Sequence, residues 1–317
     1  MYNGFLFHGL SWETLLAWCG VTLGLIVLNE LARSHKWIAL SLFVVLPLIL
    51  PFALWIPYTA TPGSGASTGT WFHWVKVYSA IAGCLGFLII RYWGTGKKCN
   101  ASCNITDKNT KPQIPKVLLL FPPFILAINI LEACIRDFQV YGLHANGQII
   151  DGVVMMSGPW NIMNGIAGIL NILTISGFLG IYVSQDKTRD MIWPDMKWFW
   201  IIAYDLWNFA YVYNCVSDHA FYAGAALLVS CTIPAFFIKK GAWLQHRAQT
   251  LAFWMMFTMS VPSFVDSPRL GVPSSHDPRA LFTVSAIALA ANLAVFIYHF
   301  YKIRKNHRNP LKDEIYA

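Results

Sequence analysis

Residues 204–222 read YDLWNFAYVYNCVSDHAFY and place two carboxylates, two amides and a histidine inside an apolar sequence. On a helix at about 100° per residue, most of the polar and tyrosine side chains fall within roughly 140° of each other. This sector contains Tyr204, Asp205, Asn208, Tyr211, Cys215, Asp218, His219 and Tyr222, with Trp207 and Asn214 on its edge. The stretch therefore predicts one helix with one polar face.

The composition of the whole chain indicates an integral membrane protein. Of its 317 residues, 56% are hydrophobic and only 12% are charged, and the mean hydropathy is +0.49. A soluble domain has about 25% charged residues. Apolar runs recur along the entire chain, so we expect residues 1–317 to form a single polytopic membrane domain. The net charge of +8 does not indicate nucleic-acid binding, because no basic stretch is part of a foldable polar module.

The spacing of the apolar runs predicts an all-α bundle. A span needs about 20 residues, and the sequence then divides into about nine of them. They are 12–32, 37–57, 71–93, 117–136, 158–183, 198–218, 220–238, 242–262 and 281–301. All but four of the 23 basic residues, namely Lys76, Arg136, Arg269 and Arg279, fall in alternate connections and the C-terminal tail. The positive-inside rule therefore places the N-terminus outside and the C-terminus inside.

Two further spans carry polar side chains on one face. In the fifth span, Asn161, Asn164 and Asn171 cluster within about 80° of arc. The fourth contains Glu132, four residues before Arg136. Since the fifth and sixth spans are antiparallel neighbours, we expect their polar faces to meet at matching depths. The predicted result is a polar, aromatic-lined cavity between the fourth, fifth and sixth spans, open to the outside. Its candidate substrate-binding residues are Asp205, Asn208, Tyr211, Asn214, Asp218, His219, Asn161, Asn164, Asn171, Glu132 and Trp207.

The buried carboxylate suggests transport of a small cationic solute, either an organic cation or a metal ion. An ionisable group at the bilayer centre costs at least about 2.5 kcal/mol and should face a partner or a wet cavity. Aromatic walls beside Asp205 would attract an organic cation through their π faces. In the alternative, structural interpretation, Asp205, Asn208 and Asn214 make interhelical hydrogen bonds worth about 0.6 kcal/mol each. The expected partners are the lipid bilayer and a small-molecule substrate, with no nucleic acid. A homo-oligomer is compatible with the small-residue face at Gly20 and Gly24.

A second functional hypothesis is an intramembrane enzyme acting on a lipid-borne substrate at the outer face. Asp218, His219, His276 and Asp277 would then supply an acid–base or metal site. The sequence contains neither an H-E-x-x-H nor a G-x-S-x-G motif, so it specifies no cofactor and no nucleophile. A third hypothesis is a membrane scaffold, whose polar faces would be fully paired and dry.

Two short motifs carry a resemblance to other proteins. The fifth span contains W-N-x-x-N from Trp160 to Asn164, and the sixth contains D-L-W-N-F-A-Y-V-Y-N from Asp205 to Asn214. Together they resemble an uncharacterised family of bacterial multi-pass membrane proteins. The resemblance implies a protein of the bacterial inner membrane and no assigned activity.

Overall fold

The computed structural model describes residues 4–57, 71–93, 114–150 and 153–316. Within these ranges the chain is a helical bundle, as predicted, and its nine long helices follow the order of the predicted spans. They are α1 Trp12–Ser34, α2 Lys36–Trp55, α3 Trp71–Tyr92, α4 Lys116–Leu143, α5 Pro159–Leu173, α6 Trp198–Cys215, α7 Ser217–Phe237, α8 Trp243–Ser260 and, after the short α9 Ser263–Asp266, α10 Pro278–Asn306.

Six helices in the described part of the chain are long and apolar enough to cross a membrane, namely α1, α2, α3, α4, α7 and α10. Helix α5 has only 15 residues, and α6 and α8, with 18 each, are not among the helices apolar enough to span. In α8, 14 of the 18 residues are buried, against 6 of 23 in α1. Polar helices are therefore shielded by apolar ones, as expected when polar side chains face other helices instead of lipid. These features indicate a helical membrane protein.

The predicted single helix over residues 204–222 is wrong, because the chain breaks at Val216. There the backbone turns to φ −144° and ψ 47°, outside the helical region. Helix α6 ends at Cys215, and α7 begins with a 3₁₀ turn at Ser217–His219 followed by a π-helical segment at Ala220–Ala226. Asp218 and His219 consequently do not continue the polar face of Asp205 and Asn208.

The fifth predicted span, 158–183, also differs from the structure. Helix α5 stops at Leu173, where the Thr174 hydroxyl donates back to the carbonyl of Leu170 and Gly177 adopts a left-handed φ of 65°. A 3₁₀ turn at Phe178–Gly180 and an antiparallel hairpin, β3 Tyr182–Val183 with β4 Met191–Ile192, follow. Much of this connection is buried, and we call it the α5–α6 loop.

The bundle has two ends, which we name after buried or half-buried residues located there. At the Asp190 end, the α5–α6 loop contacts Arg33 of α1, Arg91 of α3 and Gln245 of α8. At the His276 end, the loop before α10 pairs with the N-terminal segment, where Ser275 N donates to Leu6 O at 2.8 Å. A second hairpin, β1 Gln148–Ile150 with β2 Val153–Met155, lies beside the break between α6 and α7, since the Ser217 hydroxyl donates to the Val154 carbonyl.

Close packing of α5 depends on a glycine. A methyl group at Gly168 would overlap both Cys134 of α4 and Trp207 of α6. The missing side chain lets the three helices approach each other, as small residues do in membrane bundles. This contact positions the asparagines of α5 against the carboxyl-terminal half of α4.

Candidate functional site

A cavity of about 140 Å³ lies between α3, α4, α6, α7 and α8. Most of its wall is apolar. The polar side chains in the wall are His73, Lys76, Ser79, Asn129, Tyr204, Asn208, Tyr211, His219, Arg247 and Thr258. Among the described residues no carboxylate lines the cavity. The wall therefore carries two permanent cations and no anion.

Arg247 of α8 is the most unusual group in the cavity wall. It is 7% exposed, and its Nη2 donates to Asn208 Oδ1 at 3.1 Å. Its Nε and Nη1 atoms are buried and have no hydrogen-bond partner within the described chain. The carboxylate of Asp205 influences the guanidinium electrostatically but lies beyond ion-pairing distance. A buried cation with unused donors is costly unless a ligand or water satisfies it.

Four aromatic residues pack together beside the cavity, and one of them, Tyr204, lines it. Tyr204 stacks on Trp200 with ring centroids 5.7 Å apart and meets Trp243 edge-on at 4.7 Å and Trp207 at 5.3 Å. The three tryptophans are at most 1% exposed. We call Trp200, Tyr204, Trp207 and Trp243 the aromatic cluster. It contacts the start of the α5–α6 loop, because Trp200 Nε1 donates to the Thr174 hydroxyl at 2.9 Å.

Two ion pairs lie near the cavity towards the His276 end. Lys76 pairs with Glu132, and His219 Nε2 lies 3.6 Å from Asp266 Oδ1. The side chains of Glu132 and Asp266 are 34% and 29% exposed, so this end of the site reaches the molecular surface. Because the charge of Lys76 is compensated, Arg247 is left as the cation without a close counter-ion.

A buried carboxylate outside the cavity was not predicted. Asp137 of α4 is fully buried and accepts hydrogen bonds from Asn161 Nδ2 at 3.0 Å, Asn164 Nδ2 at 2.7 Å and Cys215 Sγ at 3.4 Å. The predicted fourth span ended at residue 136, which placed Asp137 outside the membrane. Asp137 lies four residues after Ala133 and eight after Asn129, so the three share one helix face. That shared face was the signal in the sequence that could have placed Asp137 inside the bundle.

A second buried cluster fixes the α5–α6 loop at the Asp190 end. Fully buried Asp190 accepts from Arg33 Nη1 at 2.8 Å and from Gln245 Nε2 at 2.9 Å. Arg91 and Lys239 approach it to 4.0 and 3.8 Å. We call these five residues the Asp190 cluster. In the sequence, Arg33, Arg91 and Lys239 contribute only to the excess of basic residues in alternate connections. No local motif links them to Asp190.

The cavity brings together only some of the predicted site residues. Asn208, Tyr211 and His219 line it, and Glu132 lies close by through Lys76. Asp205 does not line it, because its Oδ2 accepts from Thr232 of α7 at 2.6 Å. Its Oδ1 is buried without a partner in the described chain.

The remaining predicted residues pack between helices. Asn161 and Asn164 bind Asp137. Trp207 donates from Nε1 to the Asn164 carbonyl at 3.1 Å, and Asn214 donates to Ser285 of α10 at 3.1 Å. Asn171 is buried, and its amide has no hydrogen-bond partner among the described residues.

The residues of the enzyme hypothesis do not form one site. His276 Nε2 lies 2.7 Å from Asp218 Oδ1 and 3.3 Å from Ser217 Oγ. Both contacts use the same nitrogen, whereas a catalytic triad needs the acid and the nucleophile on opposite nitrogens. His219 pairs with Asp266, while Asp277 caps α10. Within the described ranges no group of three or more His, Cys, Asp or Glu side chains is placed to hold a metal.

The His276–Asp218 contact predicts a pH dependence at this end of the bundle. The hydrogen bond to Asp218 raises the pKa of His276 above its ordinary value, against the opposing effect of partial burial. The contact therefore stabilises the fold fully below about pH 6.5, the ordinary pKa of histidine, and is lost as pH rises through the higher folded value. Both side chains are about one-third exposed, so we expect less than about 1 kcal/mol.

Thermal unfolding of the purified protein between pH 5.5 and 8.5 measures this effect. His276→Gln should remove the part of the slope that this pair contributes, while His144→Gln, in the turn before β1, serves as the control. An unchanged slope in His276→Gln would contradict the assignment.

Comparison with known proteins identifies the family. No curated protein and no solved structure shows significant similarity to the chain. A family model described as "Family of unknown function (DUF5692)" matches residues 8–317. This agrees with the resemblance to an uncharacterised family that the W-N-x-x-N and D-L-W-N motifs suggested. Because the match covers nearly the whole chain, the protein belongs to this family of unknown function.

Proposed function

We propose that this membrane protein is a transporter that binds a small solute in the cavity between α3, α4, α6, α7 and α8. The observation that carries the proposal is the cavity itself, which is enclosed by five helices and has a buried guanidinium in its wall. Solute sites of secondary transporters lie in comparable positions, between helices and away from both surfaces.

The two ends of the cavity differ in a way that suits alternating access. Towards the Asp190 end lie the buried aromatic cluster and the Asp190 cluster. Towards the His276 end it meets the part-exposed ion pairs of Glu132 and Asp266. We infer a conformation that admits solute from the His276 end.

The charge of the solute is where the proposal departs from the sequence-based expectation. A cationic solute was expected at Asp205, but that carboxylate is directed at Thr232. The cavity wall instead carries Lys76 and Arg247. The proposal therefore retains transport and does not retain a cation as the cargo.

We further propose that the Asp190 end faces the cytoplasm of a bacterial inner membrane. Arg33, Arg91, Lys239 and Arg304 are located at or near the helix termini of this end. The positive-inside rule favours this orientation. It leaves the His276 end, and the proposed solute entrance, on the outer side.

Cysteine accessibility tests transport without knowledge of the solute. In a variant with all seven native cysteines replaced, Thr258→Cys and Leu244→Cys would place thiols near opposite ends of the cavity on the same helix, α8. A membrane-impermeant maleimide is applied to one face of sealed vesicles at a time. A transporter should be labelled at Thr258→Cys from the His276 side and at Leu244→Cys from the Asp190 side.

Two exposed positions calibrate the experiment. Arg279→Cys reports the His276 end and Lys240→Cys the Asp190 end. Labelling of Thr258→Cys alone would support an enzyme that opens to one side. Labelling of neither cavity position, with both controls labelled, would indicate a closed scaffold. Either outcome overturns the transporter proposal.

A further inference from the structure

We propose that the cavity binds a small organic monocarboxylate, with its carboxylate at Arg247 and its apolar body among the helices. The inference rests on the proposed function for its biological meaning, but binding itself is testable without transport. It assigns a substrate class to the cavity.

The guanidinium of Arg247 provides the anion-binding group. Of the five N–H donors of an arginine, one on Nη2 donates to Asn208, and the Tyr204 hydroxyl is a further polar neighbour of the guanidinium. Nε and Nη1 are buried with no partner in the described residues, and the side chain is a wall residue of the cavity. Hydrogen bonds from arginine to a carboxylate are charge-assisted and about twice as strong as neutral ones. A carboxylate in the cavity would satisfy both the charge and the donors.

A second unused group belongs to another wall residue of the cavity. The hydroxyl of Tyr211 is buried without a hydrogen-bond partner among the described residues, and Tyr211 lines the cavity one turn of α6 beyond Asn208. An unpaired buried hydroxyl costs about 1–3 kcal/mol. Two unsatisfied polar groups in one wall indicate that the site is completed by something that enters it.

Asp205 does not compete for the cavity side of Arg247. Although it is the nearest carboxylate on α6, its side chain bonds Thr232 of α7 and is not part of the cavity wall. Asp205 therefore does not occupy the unused donors of Arg247.

The size and lining of the cavity determine the rest of the ligand. A volume of about 140 Å³ is close to that of an apolar protein cavity of about 150 Å³ that binds benzene. Phe87, Leu126, Val212, Leu251 and Met255 contribute apolar wall. A body of about six to eight carbon atoms, as in benzoate, fits this space.

The charge balance favours a single negative charge. Lys76, the other permanent cation of the wall, is paired with Glu132, so Arg247 is the cation in need of a partner. A dianion such as a phosphate monoester would bring a second buried charge without compensation, which is strongly unfavourable. We therefore expect inorganic phosphate not to compete.

Binding to the purified full-length protein in lipid nanodiscs tests the inference. The probes are benzoate, the neutral analogue benzamide and the cation benzylamine, measured by calorimetry. Benzoate should bind about 10- to 100-fold more tightly than benzamide, as expected for a buried charge-assisted hydrogen bond. This comparison uses the unaltered protein, so it does not depend on whether a variant folds. Equal binding of benzoate and benzamide, no binding of either, or preferred binding of benzylamine would overturn it.

Variants then locate the site. Arg247→Gln should weaken benzoate binding by about 10- to 100-fold and remove the preference over benzamide, whereas Arg247→Lys should retain part of it. The exposed-site variant Arg279→Gln should bind benzoate as the unaltered protein does, and Asp205→Asn, which removes a negative charge that acts on the guanidinium, should bind it no more weakly. Loss of binding in Asp205→Asn with no loss in Arg247→Gln would overturn the assignment in favour of Asp205.

Two sources of a carboxylate are separated by chain length. Octanoate represents a soluble carboxylic acid, and palmitate represents a fatty acid derived from the membrane. Both carry the same carboxylate. Competition by octanoate but not by palmitate supports a soluble carboxylate of the size that the cavity admits, whereas competition by palmitate alone would contradict the size argument and overturn the inference. Competition by phosphate at similar concentration would contradict it.

The binding experiment tests the substrate class, and the accessibility experiment tests transport, so either claim can be refuted without the other. Benzoate binding without two-sided labelling would overturn transport and leave the carboxylate site intact. Two-sided labelling without carboxylate binding would overturn the substrate class and leave transport intact.

Discussion

Replacing Asp190 with alanine is expected to destabilise the protein by about 3–5 kcal/mol, the cost of removing one partner from a buried ion pair. Asp190 is fully buried, and its loss would leave Arg91, which is 0% exposed, without its acid and Arg33, which is 8% exposed, with Glu30 alone. Gln245 would lose an acceptor as well. The melting temperature of the detergent-solubilised protein and its monodispersity on size-exclusion chromatography measure the effect.

A control for this prediction lies in the same loop. Asp186 also pairs with Lys239, but its side chain is 49% exposed. Asp186→Ala should therefore cost no more than about 1 kcal/mol. Equal losses in the two variants would show that burial of Asp190 is not what stabilises the loop.

The second large effect is expected at Asp137. Asp137→Ala would leave the amide groups of Asn161 and Asn164 buried without acceptors, at about 1–3 kcal/mol for each. Asp137→Asn retains an oxygen that accepts one of the two hydrogen bonds, so its loss of stability should be about half as large. Thermal unfolding of both variants beside Asp313→Ala, in the C-terminal turn, provides the comparison.

The relative stability of the two Asp137 variants separates the role of the negative charge from that of the hydrogen bonds. If Asn is as damaging as Ala, the negative charge of Asp137 is itself required, and the hydrogen-bond argument is wrong. If neither variant changes the melting temperature, the contacts between α4 and α5 do not contribute to stability.

Helix positions were predictable because long apolar runs are a direct consequence of the bilayer as solvent. The nine long helices in the described residues correspond to the predicted runs. Helix ends were less predictable, because a cap or a break depends on a few local contacts. The break at Val216 has no glycine or proline to announce it, and it decided whether Asp218 shares a face with Asp205.

The candidate site was predictable only in part. Helical periodicity correctly grouped Asn208 and Tyr211 on one face of α6, since that information is local. The partner of that face is α8, which contributes Arg247, and α3, which contributes His73 and Lys76. Which helices meet is set by tertiary packing, and a periodic pattern in one helix does not reveal its neighbour. The polar faces of α5 and α6 were expected to meet each other, whereas α5 turns its asparagines to Asp137.

The separation of Asp190 from its partners along the chain has a consequence for the order of assembly during translation. Arg33 is synthesised 157 residues before Asp190, and Gln245 follows 55 residues after it. Until the α5–α6 loop leaves the ribosome, Arg91 lacks its acid, and Arg33 has only Glu30 of its own helix. Their long side chains can meanwhile keep their charges at the interface with water and lipid headgroups. The Asp190 end therefore closes only when α8 arrives, so a chain truncated before residue 245 should insert its first helices yet remain open at that end.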